Sequence, residues 1–191
     1  MVIIIWCLPA CAPDPEAGWG IVIDPEARWV DDRLYVDTSL DLELSPAAVE
    51  ALEHGVALVL LVSTRVSRRT GPFHRLREAR QHRMEIKYLP LSRHWQLKDL
   101  ETGQERSFPR RWILAQALAE ESRRYDTGLT RGQLDDGDWR LRVRASLDRN
   151  ALPPPMHLPA WLSPEWRITS AWHARRLDGD AGASGAQSLA G

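Results

Sequence analysis

Residues 33–44 read RLYVDTSLDLEL, and this stretch decides the fold class. Apolar side chains and a threonine occupy every second position, whereas acidic and hydroxyl side chains fill most of the positions between them. The first set is Leu34, Val36, Thr38, Leu40, Leu42 and Leu44, and the second includes Asp37, Ser39, Asp41 and Glu43. A period of two is typical of a strand with one buried face. The stretch therefore predicts one long strand of an antiparallel sheet.

Other segments extend this sheet. Residues 139–148 alternate again, with apolar side chains from Trp139 to Leu147 on one face and arginines on the other. The segment 56–69 begins as a continuous apolar run, and a turn at Thr70-Gly71-Pro72 connects it to a returning strand over 76–88. Shorter strands are predicted at 19–23, 95–100, 104–108 and 166–177. We predict a mainly β protein, an antiparallel β-sandwich with one short and one longer helix.

The helices are indicated by their end signals. Ser45 is a good N-cap, Pro46 suits the first helical position, and Gly55 can end the short helix. The longer helix is expected over 109–124. Five prolines between 153 and 164 remove backbone donors, so this segment is interpreted as an extended crossing loop.

The 191 residues fit one domain with tails. We expect a truncated signal or lipobox-like segment with a linker at 1–18, a single β-sandwich domain at 19–178, and a disordered tail of small residues at 179–191. Both cysteines, Cys7 and Cys11, lie in the first segment.

The N-terminal stretch MVIIIWCLPAC raises the question of location. Leu8-Pro9-Ala10-Cys11 is similar to a bacterial lipobox, in which a small residue precedes the cysteine that becomes lipidated. Cys11 is thus the lipidation candidate, and it would anchor the protein in the membrane. The alternatives are a clipped ordinary signal or membrane anchor, and a cytoplasmic chain with an apolar end packed on the core. We expect the cell envelope, periplasmic or lipid-anchored.

Composition and motifs limit the classes of activity. The net charge of −1 gives no general attraction to nucleic acid or anionic membranes. No nucleophile elbow, zinc-protease helix or phosphate loop is present, so no catalytic residue, metal or cofactor is predicted. One alternative is an enzyme of unrecognised type that uses the region of His157 and His173.

The densest charge cluster lies on the predicted hairpin at 65–83. Its arginines are Arg65, Arg68, Arg69, Arg75, Arg77, Arg80 and Arg83. These residues are candidates for binding anions such as lipid phosphates or RNA. The interpretation we favour is a solvated ribbon whose charges protect an edge strand from aggregation. We do not expect nucleic acid, because Phe73 is the one aromatic side chain among these cations.

A second row of arginines, Arg140, Arg142 and Arg144, faces outward on the strand predicted at 139–148. These side chains could extend a basic face or pair with acidic residues of another strand, such as Asp37, Asp41 and Glu43, and we favour the pairing.

Three blocks, 40–62, 88–108 and 141–177, resemble a proteobacterial family of unknown function, the domain numbered four-three-nine-zero. The motifs Leu-Pro-x-Pro, Leu-Ser-Pro-x-Trp and Ser-x-Trp, at 152–155, 162–166 and 170–172, carry the resemblance. It implies an exported protein, often encoded beside a sensor kinase of the nitrogen-regulation type, and it implies no catalytic residues. The chain departs from the pattern in lacking a full signal and in having Ala174 where a second aromatic residue is usual.

These observations together predict a non-catalytic binding or interaction module of the cell envelope. Its expected partner is a protein of the envelope, and the resemblance suggests a role as accessory to a sensor kinase.

Overall fold

The structure is a computed structural model that describes residues 19–134 and 137–177. The predictions for the segment 1–18, including Cys11, and for the tail 179–191 lie outside the described residues.

Strands form most of the described chain. They are β1 Gly20–Ile23, β2 Glu26–Val30, β3 Arg33–Thr38, β4 Leu40–Glu43, β5 Leu58–Thr70, β6 Phe73–Leu89, β7 His94–Asp99, β8 Glu105–Phe108, β9 Arg123–Thr130, β10 Trp139–Leu147 and β11 His173–Leu177. The helices are α1 Pro46–Glu53, α2 Arg111–Glu120 and α3 Pro154–Leu162, with short 3-10 turns at Arg131–Gln133, Arg149–Ala151 and Pro164–Trp166.

The strands form antiparallel sheets of three sizes. A six-stranded sheet has the order β11-β10-β5-β6-β7-β8, a three-stranded sheet the order β2-β3-β9, and a two-stranded sheet joins β1 to β4. The smaller sheets pack on one face of the large sheet through contacts of β9 with β5 and β6, and of β1 with β10. The predicted mainly β, antiparallel, sandwich-like fold is confirmed.

The core lies between these layers, and it follows from the alternation of side chains along each strand. Leu58, Leu60 and Val62 of β5 are at most 1% exposed, as are Leu34 and Val36 of β3. On β10 every second side chain from the first residue to the last is buried, as predicted. The outward-pointing positions of β5 and β10 are therefore left for other interactions.

The stretch that predicted one strand forms two. Thr38 ends β3, Ser39 intervenes, and Leu40 begins β4. The alternation continues across the break, because Val36, Thr38, Leu40 and Leu42 are all buried. However, β3 pairs with β2 and β9, whereas β4 pairs with β1. Periodicity reports which face is buried and carries no information about the pairing partner, so the prediction of a single strand was wrong.

The short helix has the predicted N-cap, since the Ser45 hydroxyl accepts a hydrogen bond from the backbone N–H of Ala48 at 3.2 Å. After the helix, Gly55 takes a φ of +84°, a conformation that glycine adopts without strain. The longer helix is shorter than predicted, because β9 already begins at Arg123.

The prediction of an extended loop through the prolines was wrong, because α3 occupies most of that segment. Pro154 and Pro155 are its first two residues, where a missing N–H costs little. The last strand is also shorter than predicted, since it begins at His173 and not at Trp166. No helix among the described residues combines the length and apolar character needed to cross a membrane.

Two strands were not predicted at all, β2 and β9. The signal for β9 was present, because Tyr125, Thr127 and Leu129 alternate and are all buried. Within β9, Gly128 has a φ of +79°, and a Cβ there would lie 2.7 Å from the Arg80 guanidinium. A side chain at this position would displace the Arg80 side chain, so glycine suits the contact between β9 and β6.

Candidate functional site

The candidate site lies on the outer face of the large sheet, where β5 and β10 are neighbours. Their register places Arg65 directly opposite Arg142, and Arg144 opposite Ser63. Val143, between the two arginines of β10, is buried in the core. Because side chains alternate along a strand, the three arginines all face away from the core.

The side chains of these three arginines converge on Trp172. It is half-buried and comes immediately before β11, whose register with β10 brings it beside Arg144. The guanidinium carbons of Arg65, Arg144 and Arg142 lie 4.8, 5.0 and 5.8 Å from the centre of its ring. We call these four residues the Trp172 cluster.

Within the described part of the chain, the cluster holds positive charge without a compensating anion. Among the described residues, no carboxylate lies within 4.0 Å of any of the three guanidinium groups. The pKa of Arg144 is lowered, first because burial removes its guanidinium from water, and second because Arg65 is close. Like charges opposed across two strands destabilise a sheet. An anion bound here would relieve this repulsion.

The geometry of the cluster suits an anionic group. Each guanidinium carries five N–H donors in a planar fork that matches the oxygens of a carboxylate or phosphate. Stacking on the indole orients the forks, because cation–π attraction holds each guanidinium over the ring. On the neighbouring strand, Ala174 lies opposite Arg142 and offers only a methyl group.

The predicted arginine hairpin exists as β5 and β6, but its arginines are dispersed. Arg65 belongs to the Trp172 cluster. Three others are paired with carboxylates: Arg69 with Asp138 at 3.6 Å, Arg80 with Glu78 at 3.1 Å, and Arg83 with Asp148 at 3.4 Å.

The remaining arginines of the hairpin lie farther along it. Arg75 and Arg77 are exposed on the first part of β6, and Arg68 lies opposite Trp139. The whole set from Arg65 to Arg83 thus does not form one continuous surface.

The predicted pairing of Arg140, Arg142 and Arg144 with acidic residues was wrong. Asp37 is engaged by Arg124 at 2.9 Å and by Arg28 at 3.5 Å. The other expected partners belong to β4, which pairs with β1 and not with any strand of the large sheet.

The two histidines of the alternative enzyme hypothesis have different surroundings. His157 lies in α3 and its Nε2 hydrogen-bonds to the Leu152 carbonyl at 2.6 Å. His173 begins β11 opposite Val143. Within 19–134 and 137–177, no three His, Cys, Asp or Glu side chains are grouped to hold a metal ion.

Trp172 is the residue that sequence reasoning missed. It appeared only as part of a Ser-x-Trp motif, and nothing in the alternation of 139–148 links it to the arginines. A signal was nevertheless present. The strand β10 has the pattern Arg-x-Arg-x-Arg, and an aromatic residue stands just before the next strand, which would have suggested the stacking.

A comparison with known families identifies the family of this chain. The family described as "Domain of unknown function (DUF4390)" matches residues 20–176, which extend from the start of β1 into β11. No curated protein and no solved structure matches the chain.

Proposed function

We propose a function for this chain, which belongs to the DUF4390 family. It is a non-catalytic binding module of the cell envelope. Its Trp172 cluster holds an acidic segment of a partner protein. The observation that carries the proposal is three guanidinium groups around one indole with no carboxylate partner among the described residues. A partner supplying carboxylates would satisfy donors for which the described residues provide no carboxylate.

An acidic protein segment suits the cluster better than nucleic acid does. Single-stranded nucleic acid is bound along extended basic grooves with several aromatic platforms. The cluster offers one ring, and three of the other hairpin arginines already pair with carboxylates. A sensor kinase, which the family resemblance suggests as a neighbour, is the partner we would test first.

Binding of an oligoglutamate peptide tests the proposal. Replacing Arg142 and Arg144 together with glutamine should weaken binding about 100-fold at low salt, since two charge-assisted hydrogen bonds of roughly 1.5 kcal/mol each are lost. Fluorescence anisotropy of a labelled peptide measures this loss. Affinity of the unmodified protein should also fall as salt is added, because exposed charges are screened.

The matched control is Arg131→Gln. Arg131 stacks on Trp29 at 4.8 Å and is exposed, so it is the same type of pair on another part of the molecule. It should bind the peptide like the unmodified protein. Unchanged binding by the double variant, or an equal loss in Arg131→Gln, would show that the cluster is not the site.

The envelope location is supported by the lipobox-like tetrad ending at Cys11 and by the family resemblance. If Cys11 is lipidated, the full gene product should incorporate labelled palmitate and fractionate with membranes. Cys11→Ala should abolish both, whereas Cys7→Ala should leave both unchanged. A product found wholly in the cytosol without label contradicts the location.

A further inference from the structure

A pocket of about 360 Å³ opens where β7 and β8 meet the beginning of β9. One wall belongs to β6, β7 and β8 of the large sheet, and the other to β9 of the three-stranded sheet. The turn that joins β7 to β8 contributes Thr102 and Gln104. The volume lies at the lower end of the range of roughly 300–1,000 Å³ that is usual for small-molecule sites.

The apolar part of the lining consists of Met84, Leu97 and Tyr125, each at most 5% exposed. The Tyr125 hydroxyl donates to the Met84 sulfur at 3.7 Å, a weak acceptor. Burial raises the pKa of Tyr125, so this hydroxyl stays protonated and remains a donor.

Three arginines line the pocket, and two of them are held by carboxylates at two points each. Arg106 binds Glu121 through both of its terminal nitrogens, and this contact lowers the pKa of Glu121. Arg124 binds Asp37 through Nε and Nη2 at 2.9 and 3.4 Å. Their planar forks are thus already occupied.

Asp99, at the end of β7, provides the second carboxylate of the pocket lining, and Glu121 provides the first. The Asp99 Oδ1 accepts hydrogen bonds from the backbone N–H groups of Glu101 and Thr102, both at 2.8 Å. This carboxylate therefore holds the turn at the rim of the pocket.

Arg123 differs from the other two arginines. Its Nη2 lies 3.8 Å from Glu121, which Arg106 already binds with both terminal nitrogens. Its Nη1 is buried and has no hydrogen-bond partner among the described residues. A buried donor without an acceptor has lost its hydration without replacement, so an acceptor from outside would be bound favourably.

We propose that this pocket binds a small organic anion, with its apolar body on Met84, Leu97 and Tyr125 and its acidic oxygen on Nη1 of Arg123. Apolar lining with a few convergent polar groups is the usual composition of such sites. The site is separate from the Trp172 cluster, which faces outward from the large sheet, and it does not depend on the function proposed there.

The probe for the test is 8-anilinonaphthalene-1-sulfonate, which has an apolar body, one anionic group and fluorescence that rises on binding. Arg123→Met should weaken its binding about tenfold, because one charge-assisted hydrogen bond is lost while much of the side-chain volume is kept. Arg131→Met removes an exposed arginine that does not line the pocket, and it should change binding by less than about threefold. Equal losses in the two variants, or no loss in Arg123→Met, overturn the proposal.

A second measurement uses the unmodified protein and does not depend on whether a variant folds. The chain has three methionines, of which Met84 lines the pocket and Met156 lies in α3. With methyl-¹³C methionine, the probe should shift the Met84 signal saturably and leave Met156 in place. Hexanoate should displace the probe more strongly than 1-hexanol does. An unshifted Met84 signal, or equal displacement by the alcohol, overturns the proposal.

Discussion

Replacing Trp166 with alanine is expected to lower the free energy of unfolding by about 3–5 kcal/mol. Trp166 ends the 3-10 turn Pro164–Trp166, is 5% exposed and belongs to the core. This turn contacts both α1 and α3. Removing the indole leaves a cavity that these elements cannot fill without moving, and urea denaturation measures the loss through the transition midpoint.

The control for this prediction is Trp161→Ala. Trp161 belongs to α3, a short distance earlier in the chain, but it is 57% exposed. Arg149 lies 5.4 Å from its ring, and such a contact contributes roughly 0.5–1 kcal/mol. The expected loss is therefore below about 1.5 kcal/mol. If Trp161→Ala proved as destabilising as Trp166→Ala, the orientation of this segment on the core would be wrong.

The second large effect is expected at Leu60. Replacing it with alanine should cost about 2.5–5 kcal/mol, because a buried leucine loses its transfer energy and leaves a cavity. Leu60 is 1% exposed on β5, between Leu147 of β10 and Met84 of β6. The change should lower the midpoint of urea denaturation without changing its slope.

Leu61→Ala is the matched variant, since it makes the same substitution at the next position of the same strand. Leu61 is half-buried on the outer face, opposite Ser146 and Arg83. Its loss should be about 1 kcal/mol or less. Losses of equal size at the two positions would mean that the large sheet is covered on both faces here, which contradicts the fold described above.

The fold class could be predicted because strand periodicity is a local property. The alternation predicted which side chains are buried, and the structure buries Leu34, Val36, Leu40 and Leu42. The ends of the strands were harder to predict from the sequence, as Ser39 shows. Both sides of that residue alternate in phase, yet the chain changes sheet there.

The helix α3 shows how a local rule can mislead. Five prolines between 153 and 164 argued for an extended loop, but proline is well tolerated in the first turn of a helix. Pro154 and Pro155 begin α3 and so fall where the objection does not apply.

The candidate site could be predicted only in part. The outward direction of Arg142 and Arg144 followed from alternation, and Arg65 was among the predicted anion-binding residues. Their convergence on Trp172 depends on the pairing of β10 with both β5 and β11. Because β5 is distant from the other two strands in sequence, no local pattern encodes that pairing.

The pocket of Arg123 was beyond sequence reasoning for a related reason. Arg123 was assigned to the end of a helix, whereas it begins β9. Neighbours such as Glu121 and Arg106 determine how many of the Arg123 N–H donors lack a hydrogen-bond partner.

The sequence by itself determined which side chains are buried along each long strand, since the free energy of removing an apolar group from water acts residue by residue. Only the tertiary structure decided which strands pair, where the chain changes sheet and which arginines meet Trp172. These outcomes depend on register and on contacts between distant segments, whose energies exist only once the layers have packed.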